Sequence, residues 1–144
     1  MSDRVLRAIL VALSLAGACV STYVLVARWT SADLLCSTGG CETVQSSEYA
    51  ELLGVPVAGL GIVGYLLIGA AALAPGPHAR TVAAALALGA AAFGGYLLVV
   101  QLVVIEAVCD WCLVADAITS LIAVVAVVRL VQADDDSPLH VRTG

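Results

Sequence analysis

The sequence predicts an all-α membrane protein, a four-transmembrane-helix bundle with an extracytoplasmic loop and a short cap helix. Three observations predict it: four long apolar stretches, a charged fraction of only 12%, and arginines gathered on one side of the predicted spans. Hydrophobic residues make up 62% of the 144 residues, so polar side chains are too few to cover a surface that faces water. The expected solvent of most of the chain is therefore a lipid bilayer.

The predicted spans follow from the length of each apolar stretch. A helix needs about 20 mostly apolar residues to cross about 30 Å of hydrocarbon. Four stretches meet this requirement, at 5–27, 55–74, 81–105 and 111–128. The first continues past Cys19 and is longer than the apolar part of a signal peptide, which favours a spanning helix over a cleaved leader.

The arginines predict the orientation of the bundle. With four spans, five of the six fall on one side: Arg4, Arg7, Arg80, Arg129 and Arg142. Only Arg28 falls on the other. Because cytoplasmic connections carry the excess of positive charge, both termini are predicted to be cytoplasmic. The loops at 29–53 and 106–110 then face outward, in a multi-pass protein of the plasma membrane.

The remaining segments complete the predicted organisation. Residues 1–132 are expected to form one transmembrane domain, and the acidic segment 133–144 a disordered cytoplasmic tail. Within the first outer loop, residues 42–53 are predicted to form the short cap helix, lying flat on the membrane surface. No basic stripe is present, so nucleic acid is not an expected partner.

Four of the five cysteines form two close pairs. Cys36 and Cys41 lie in the first outer loop, and Cys109 and Cys112 lie where the last span begins. Both pairs fall on the predicted outer side, where disulfides persist. The fifth, Cys19, lies in the middle of the first span and is interpreted as a small core residue.

Three interpretations of the two pairs are open. A Cys-x-x-Cys at a helix start favours a nucleophilic thiolate, which predicts a relay between two redox-active pairs. The four thiolates could instead bind zinc, which is disfavoured in an oxidising compartment, so no metal is predicted. The third interpretation is two structural disulfides. The relay is preferred because a ring as small as that of Cys109 and Cys112 adds little stability.

Several short motifs, taken together, resemble a known family. They are Cys36-x4-Cys41, Ser46-Ser47, Gly54-Val55-Pro56 with Gly59-x-Gly61 and Tyr65, and Cys109-Asp110-Trp111-Cys112. Their order, spacing and predicted topology resemble those of the bacterial homologues of vitamin K epoxide reductase, the VKOR family. Many of these homologues carry a fused thioredoxin-like domain, which this sequence does not contain. The resemblance therefore implies a separate thioredoxin-like (DsbA-like) oxidase as the partner.

The resemblance also implies a function and a route for electrons. The chain is expected to be a thiol:quinone oxidoreductase that supports disulfide formation outside the cytoplasm. Partner thiols would reduce Cys36 and Cys41, and Cys41 would form a transient bridge to Cys109. Cys112 would then face the quinone, which could be of the menaquinone, ubiquinone or vitamin K type.

Two further residues are tentative candidates for quinone binding or proton transfer. Ser47 matches a loop serine of the family, with Ser46 as the neighbouring possibility, although either could simply cap a short helix. Asp116 lies one turn beyond Cys112 on the same helix face and could relay a proton or bond to a quinone oxygen. It could instead merely bond to Gln101 or to a hydroxyl at the helix interface. Vertebrate members place asparagine and tyrosine where this chain has about Val57 and Asp116, which favours plain quinone reduction over epoxide chemistry.

Two other functions compete with that of a VKOR-like thiol:quinone oxidoreductase. A DsbB-type quinone reductase places its Cys-x-x-Cys in the first outer loop, whereas here that motif opens the last helix. A non-catalytic membrane protein with structural disulfides is the rival from another class. Oxidation of the thiols that depends on added quinone would separate an enzyme from this second rival.

Overall fold

Four long helices form the bundle in the computed structural model, which describes residues 1–135. They are α1 (Asp3–Thr30), α3 (Val57–Leu73), α4 (Pro77–Val99) and α5 (Asp110–Asp135). Helix α1 packs against α3 and α5, and α4 packs against the same two helices. Each helix therefore has two neighbours, and the four enclose one shared interior.

Among the described residues, three helical segments are long and apolar enough to cross a membrane. They span Asp3–Thr30, Pro77–Val104 and Asp110–Ala133, while α3 is a shorter apolar helix of 17 residues. At 1.5 Å per residue, α3 is about 25 Å long, close to the lower limit for a span. The architecture is that of an all-α, multi-pass membrane protein, as the hydropathy of the sequence predicts.

Apolar side chains fill the interior of the bundle and also cover much of its outer surface. The buried core combines Leu10, Tyr65, Ile68 and Ile122 with several alanines of α4 and α5. Many large apolar residues instead point outward, including Leu67, which is 51% exposed. In water such a surface would drive aggregation, whereas in lipid it is the expected outer face.

The outer loop is more irregular than the predicted cap helix. A short helix, α2 (Cys41–Ser46), is followed by a 3-10 turn and by two antiparallel strands, β1 (Glu51–Leu52) and β2 (Val55–Pro56). The prediction of one helix over 42–53 is therefore wrong. The helix ends at Ser46 because the backbone of Ser47 is extended, with φ −72° and ψ 158°. The turn at Leu53 and Gly54, with φ angles of 54° and 80°, then reverses the chain.

At the end of the bundle opposite the cysteines, Asp3 is surrounded by arginines. One carboxylate oxygen accepts a hydrogen bond from Nε of Arg129 at 2.8 Å and lies 3.6 Å from Arg80. The other accepts from Arg7 at 3.2 Å. Arg129 is only 2% exposed and also donates to the carbonyl of Ala72 at the end of α3. These contacts place the starts of α1 and α4 and the ends of α3 and α5 at one end of the bundle.

Replacing Asp3 with alanine is expected to lower the free energy of unfolding by about 2 kcal/mol. The change leaves the nearly buried Arg129 without its carboxylate, and hydrogen bonds to charged groups contribute about 1.5–3 kcal/mol each. Denaturation of the detergent-solubilised protein measures the effect. Asp135→Ala removes an exposed carboxylate near the same end and is the matched control. Equal stability of the two variants would contradict this account of Asp3.

The end of α5 differs from the predicted boundary of the domain. The helix continues to Asp135, beyond the predicted domain end at residue 132. The remainder of the predicted tail, 136–144, lies outside the described residues.

Candidate functional site

The two cysteine pairs lie together at the end of the bundle opposite Asp3. Cys36 and Cys41 form a disulfide with a Cα–Cα distance of 6.1 Å. Cys109 and Cys112 are free thiols whose sulfur atoms are 2.7 Å apart. Because they are three residues apart at the start of α5, one helical turn holds the second pair in bonding range.

The two pairs are in contact with each other. Cys41 and Cys109 are buried in one cluster with Val44, and Cys36 and Cys112 pack against it. Cys41 is 1% exposed and Cys109 is fully buried, whereas Cys36 is only half-buried. Cys36 is therefore the more accessible sulfur of the loop disulfide, and Cys41 is the one that adjoins the second pair.

Asp110 holds the loop disulfide in this position. One oxygen of its carboxylate accepts hydrogen bonds from the backbone N–H of Ser37 at 2.7 Å and the hydroxyl of Ser37 at 2.5 Å. The same oxygen lies 3.3 Å from the backbone N–H of Thr38. All three bonds are exposed to solvent. Asp110 thus acts as an anchor for the loop, a role that its place between the cysteines does not reveal.

Backbone contacts bring the same loop against the segment before α5. The hydroxyl of Thr38 donates to the carbonyl of Val108 at 2.7 Å. Gly40 lies so close to the backbone of Val108 that a Cβ atom would overlap it. Glycine at this position is therefore needed for close approach, in addition to any mobility that it gives the loop.

Gln45 connects the short helix α2 to the second cysteine pair. Its side-chain nitrogen lies 3.4 Å from the sulfur of Cys112 and 3.9 Å from that of Cys109. Arg28 fixes the same segment by donating to the carbonyl of Gln45 and to the carboxylate of Glu51, both at 2.5 Å. Arg28, the one arginine on the predicted outer side, therefore connects two segments of the outer loop.

The environment of Cys109 favours its thiolate. The hydrogen bond from the Cys112 thiol is the main cause that lowers the pKa of Cys109, from 9.0 to about 7, although burial opposes it. The backbone N–H of Cys112 and the side chain of Gln45 lower this pKa further. The nucleophilic form of Cys109 is therefore present near neutral pH.

We expect the reduced protein to show one thiol with a midpoint near pH 7, because the lowered pKa moves its deprotonation down from the usual range. The thiolate ultraviolet absorbance measures it, in a Cys36→Ala/Cys41→Ala background that removes the loop thiols. Adding Cys112→Ala removes the main donor and should raise the midpoint. If Cys109→Ala in the same background retained the transition near pH 7, the assignment to Cys109 would be wrong.

A cavity of about 310 Å³ opens beside the second pair, between the helices. Cys112 lines it, whereas Cys109 does not. Most of the wall is apolar, and small residues such as Gly61 and Gly64 keep it open. Its volume is at the lower end of the range of small-molecule sites. A flat aromatic ring of one or two fused cycles fits this size and polarity.

Ser47 and Asp116, the two tentative candidates, both line this cavity. The hydroxyl of Ser47 donates to the carbonyl of Val44 at 2.7 Å, so it also closes the end of α2. Ser46 makes a similar bond to Thr43 and does not line the cavity. Asp116 packs against Gly94, where a Cβ atom would overlap its carboxylate. The structure thus separates Ser47 from Ser46 by position.

Two interpretations from the sequence need correction. Gln101 does not bond to Asp116. Its side-chain oxygen accepts from the backbone N–H of Cys109 at 3.4 Å, and its side-chain nitrogen has no partner among residues 1–135. Cys19 is exposed on the outer surface of α1 and is not a core residue. Periodicity alone does not predict which face of an all-apolar helix points inward, which explains the error at Cys19.

The contacts that assemble the site come from residues that sequence motifs do not mark. Gln45 and Gln101 belong to none of the motifs that the sequence marks, although Gln101 is a lone amide within an apolar segment. Among residues 1–135, no group of three or more His, Cys, Asp and Glu is placed to hold a metal ion. In the zinc interpretation all four sulfurs are thiolates, whereas here two of them are joined in a disulfide.

This fold and these cysteines define a class, the membrane proteins that carry thiol redox chemistry at one end of a helical bundle. The model of the vitamin K epoxide reductase family matches residues 8–127. The match covers most of the chain, and the protein belongs to this family. An oxidoreductase is therefore the enzyme class of the protein.

Proposed function

We propose that the protein is a thiol:quinone oxidoreductase. It takes electrons from a separate thioredoxin-like (DsbA-like) oxidase and passes them through two cysteine pairs to a quinone, which supports disulfide formation outside the cytoplasm. The observation that carries this proposal is the contact between the loop disulfide and a second pair whose Cys112 lines an apolar cavity. Family membership supports the same class of reaction.

The first half of the reaction is an exchange between the two pairs. A partner dithiol attacks the accessible Cys36, and its own oxidation to a disulfide leaves both loop cysteines reduced. The Cys41 thiolate then attacks Cys109 of an oxidised second pair and displaces the Cys112 thiolate. Cys36 resolves the Cys41–Cys109 bridge and releases Cys109. Two electrons have then moved inward, and the loop disulfide is restored.

The second half returns the inner pair to its disulfide. Cys109 and Cys112 lose two electrons and two protons as they bond, and the quinone gains both to become a quinol. Cys112 is the sulfur in contact with the cavity, so it is assigned to the electron transfer. Asp116 is proposed to relay a proton from one turn deeper, and Ser47 to close the outer wall of the cavity.

The topology of the proposed enzyme follows from the arginines. We place all four long helices across the plasma membrane, with α3 as the shortest span. The end that holds Asp3 and its arginines is assigned to the cytoplasm, together with both termini. The cysteine pairs then lie at the extracytoplasmic surface, where a secreted partner can reach Cys36.

Purified protein tests this function when a reduced thioredoxin-like protein and a short-chain quinone are supplied together. We expect consumption of the quinone, by its absorbance, to require both the dithiol and the enzyme, with one quinol formed per disulfide. A protein with purely structural disulfides would show no oxidation of its thiols by quinone, and that outcome would overturn the proposal.

A further inference from the structure

The carboxamide of Gln101 is buried with only one of its two ends bonded. The residue is 2% exposed. Its oxygen accepts a hydrogen bond from the backbone N–H of Cys109. Its nitrogen, Nε2, is buried and has no hydrogen-bond partner among residues 1–135. Buried polar groups in native proteins nearly always have a partner, so an unpaired amide nitrogen calls for an explanation.

The orientation of this amide is fixed by its neighbour. Exchanging the nitrogen and the oxygen would bring the amide NH₂ against the N–H of Cys109, and two donors cannot bond to each other. The oxygen must therefore face Cys109, and the NH₂ group must point away from it. Gln101 lines the same cavity as Cys112.

The local backbone explains how a glutamine comes to lie here. Residues Val100–Val104 form a π-helix at the end of α4. The N–H of Ile105 bonds to the carbonyl of Val100 at 2.9 Å, and the N–H of Ala107 bonds to the carbonyl of Gln101 at 3.1 Å. These wider turns end the helix and lead the chain back towards Cys109. Short π-helical segments are often found at functional sites because they redirect a side chain in this way.

Two polar side chains of the cavity near Cys112 already have partners for their donors. The amide of Gln45 is directed to the sulfur of Cys112. The hydroxyl of Ser47 donates to a carbonyl. A quinone carbonyl can only accept hydrogen bonds, and negative charge develops on its oxygen during reduction. The unpaired NH₂ of Gln101 is complementary to this group.

We propose that Gln101 binds the quinone, with its side-chain nitrogen donating to a carbonyl oxygen while its side-chain oxygen bonds to the Cys109 peptide. This inference rests on the proposed thiol:quinone activity and adds a binding residue to it. One rigid amide then joins the ring that accepts electrons to the backbone of the cysteine pair that supplies them. Gln101 thereby sets the position of the ring relative to the pair.

Gln101→Met tests the proposal, with menadione as the quinone. The variant keeps the length of the side chain but removes both the donor and the acceptor of the Cys109 N–H, so we expect KM for menadione to rise about tenfold, with a smaller fall in kcat. Gln132→Met is the matched control, because it makes the same change near the other end of the bundle. Gln101→Asn retracts the amide and keeps it polar, so it provides a second test if the methionine variant folds poorly.

Infrared spectra of bound menadione supply a measurement that does not depend on turnover. A hydrogen bond lowers the carbonyl stretching frequency, so the bound carbonyl band should be lowered in the parent and in Gln132→Met but not in Gln101→Met. If the parent reduces menadione while Gln101→Met keeps the same KM and the same band, Gln101 has only a structural role. If the parent does not reduce any quinone, the proposed function itself fails.

Discussion

Replacing Cys112 with alanine is expected to abolish quinone-dependent turnover, with a loss of roughly a thousandfold or more. Cys112 is the cysteine of the inner pair that lines the cavity, and its sulfur lies 2.7 Å from that of Cys109. Without it the inner pair cannot form a disulfide, so no intramolecular route remains for the second electron. The rate of quinone consumption with a reduced thioredoxin-like substrate measures the loss.

The control for this change is Cys19→Ala. Cys19 is also a free cysteine within a long apolar helix, but it is exposed on the outer surface of α1. We expect its replacement to leave turnover unchanged. The loop disulfide of Cys112→Ala should still be reduced by the partner, since that step uses Cys36 and Cys41 alone. Normal quinone reduction by the Cys112→Ala protein would remove Cys112 from the electron path.

The sequence predicts the placement of the cysteines well because that placement depends on few physical facts. Hydropathy predicts the length of each helix, and the placement of the arginines predicts which helix ends share one side of the membrane. A loop between the first two spans and a motif at the start of the last span must then share one end of the bundle. Because Cys109 and Cys112 are three residues apart, one helical turn then brings their side chains together.

The outer loop and the interior of the site were less predictable. The hairpin after Ala50 depends on the backbone angles of Leu53 and Gly54, which the composition of this segment does not predict. The bond between Gln101 and Cys109 depends on a π-helix, which has no reliable sequence signature. Such contacts join segments that are brought together only by the tertiary fold.

Asp110 shows how the same residue type can be interpreted in opposite ways. From the sequence, a carboxylate between two cysteines opposes thiolate formation by its negative charge. In the structure it is turned outward to the backbone and hydroxyl of Ser37. These exposed bonds compete with water, so each contributes only modestly to holding the loop in its docked position. In the proposed relay, this balance would let the loop meet both the partner and the inner pair.

Direct transfer between the pairs predicts a specific cross-link. In Cys36→Ala/Cys112→Ala, the cysteines left at the site are Cys41 and Cys109, which are buried in the same cluster. Mild oxidation is expected to join them almost completely, as measured by the disulfide-linked peptides in mass spectrometry. Cys41→Ala/Cys112→Ala leaves Cys36 instead, which lies at the edge of that cluster, and should give much less product. Equal yields would contradict a transfer through Cys41.

The same cross-link measures the anchor at Asp110. Adding Asp110→Ala removes the acceptor for Ser37 and Thr38, so the loop spends less time docked and the Cys41–Cys109 bond should form several-fold more slowly. Glu42→Ala removes an exposed carboxylate beside Cys41 and should not change the rate. Because the cross-link needs neither partner nor quinone, it isolates docking from the other steps. An unchanged rate in Asp110→Ala would show that packing around the buried Cys41 is sufficient to hold the loop in place.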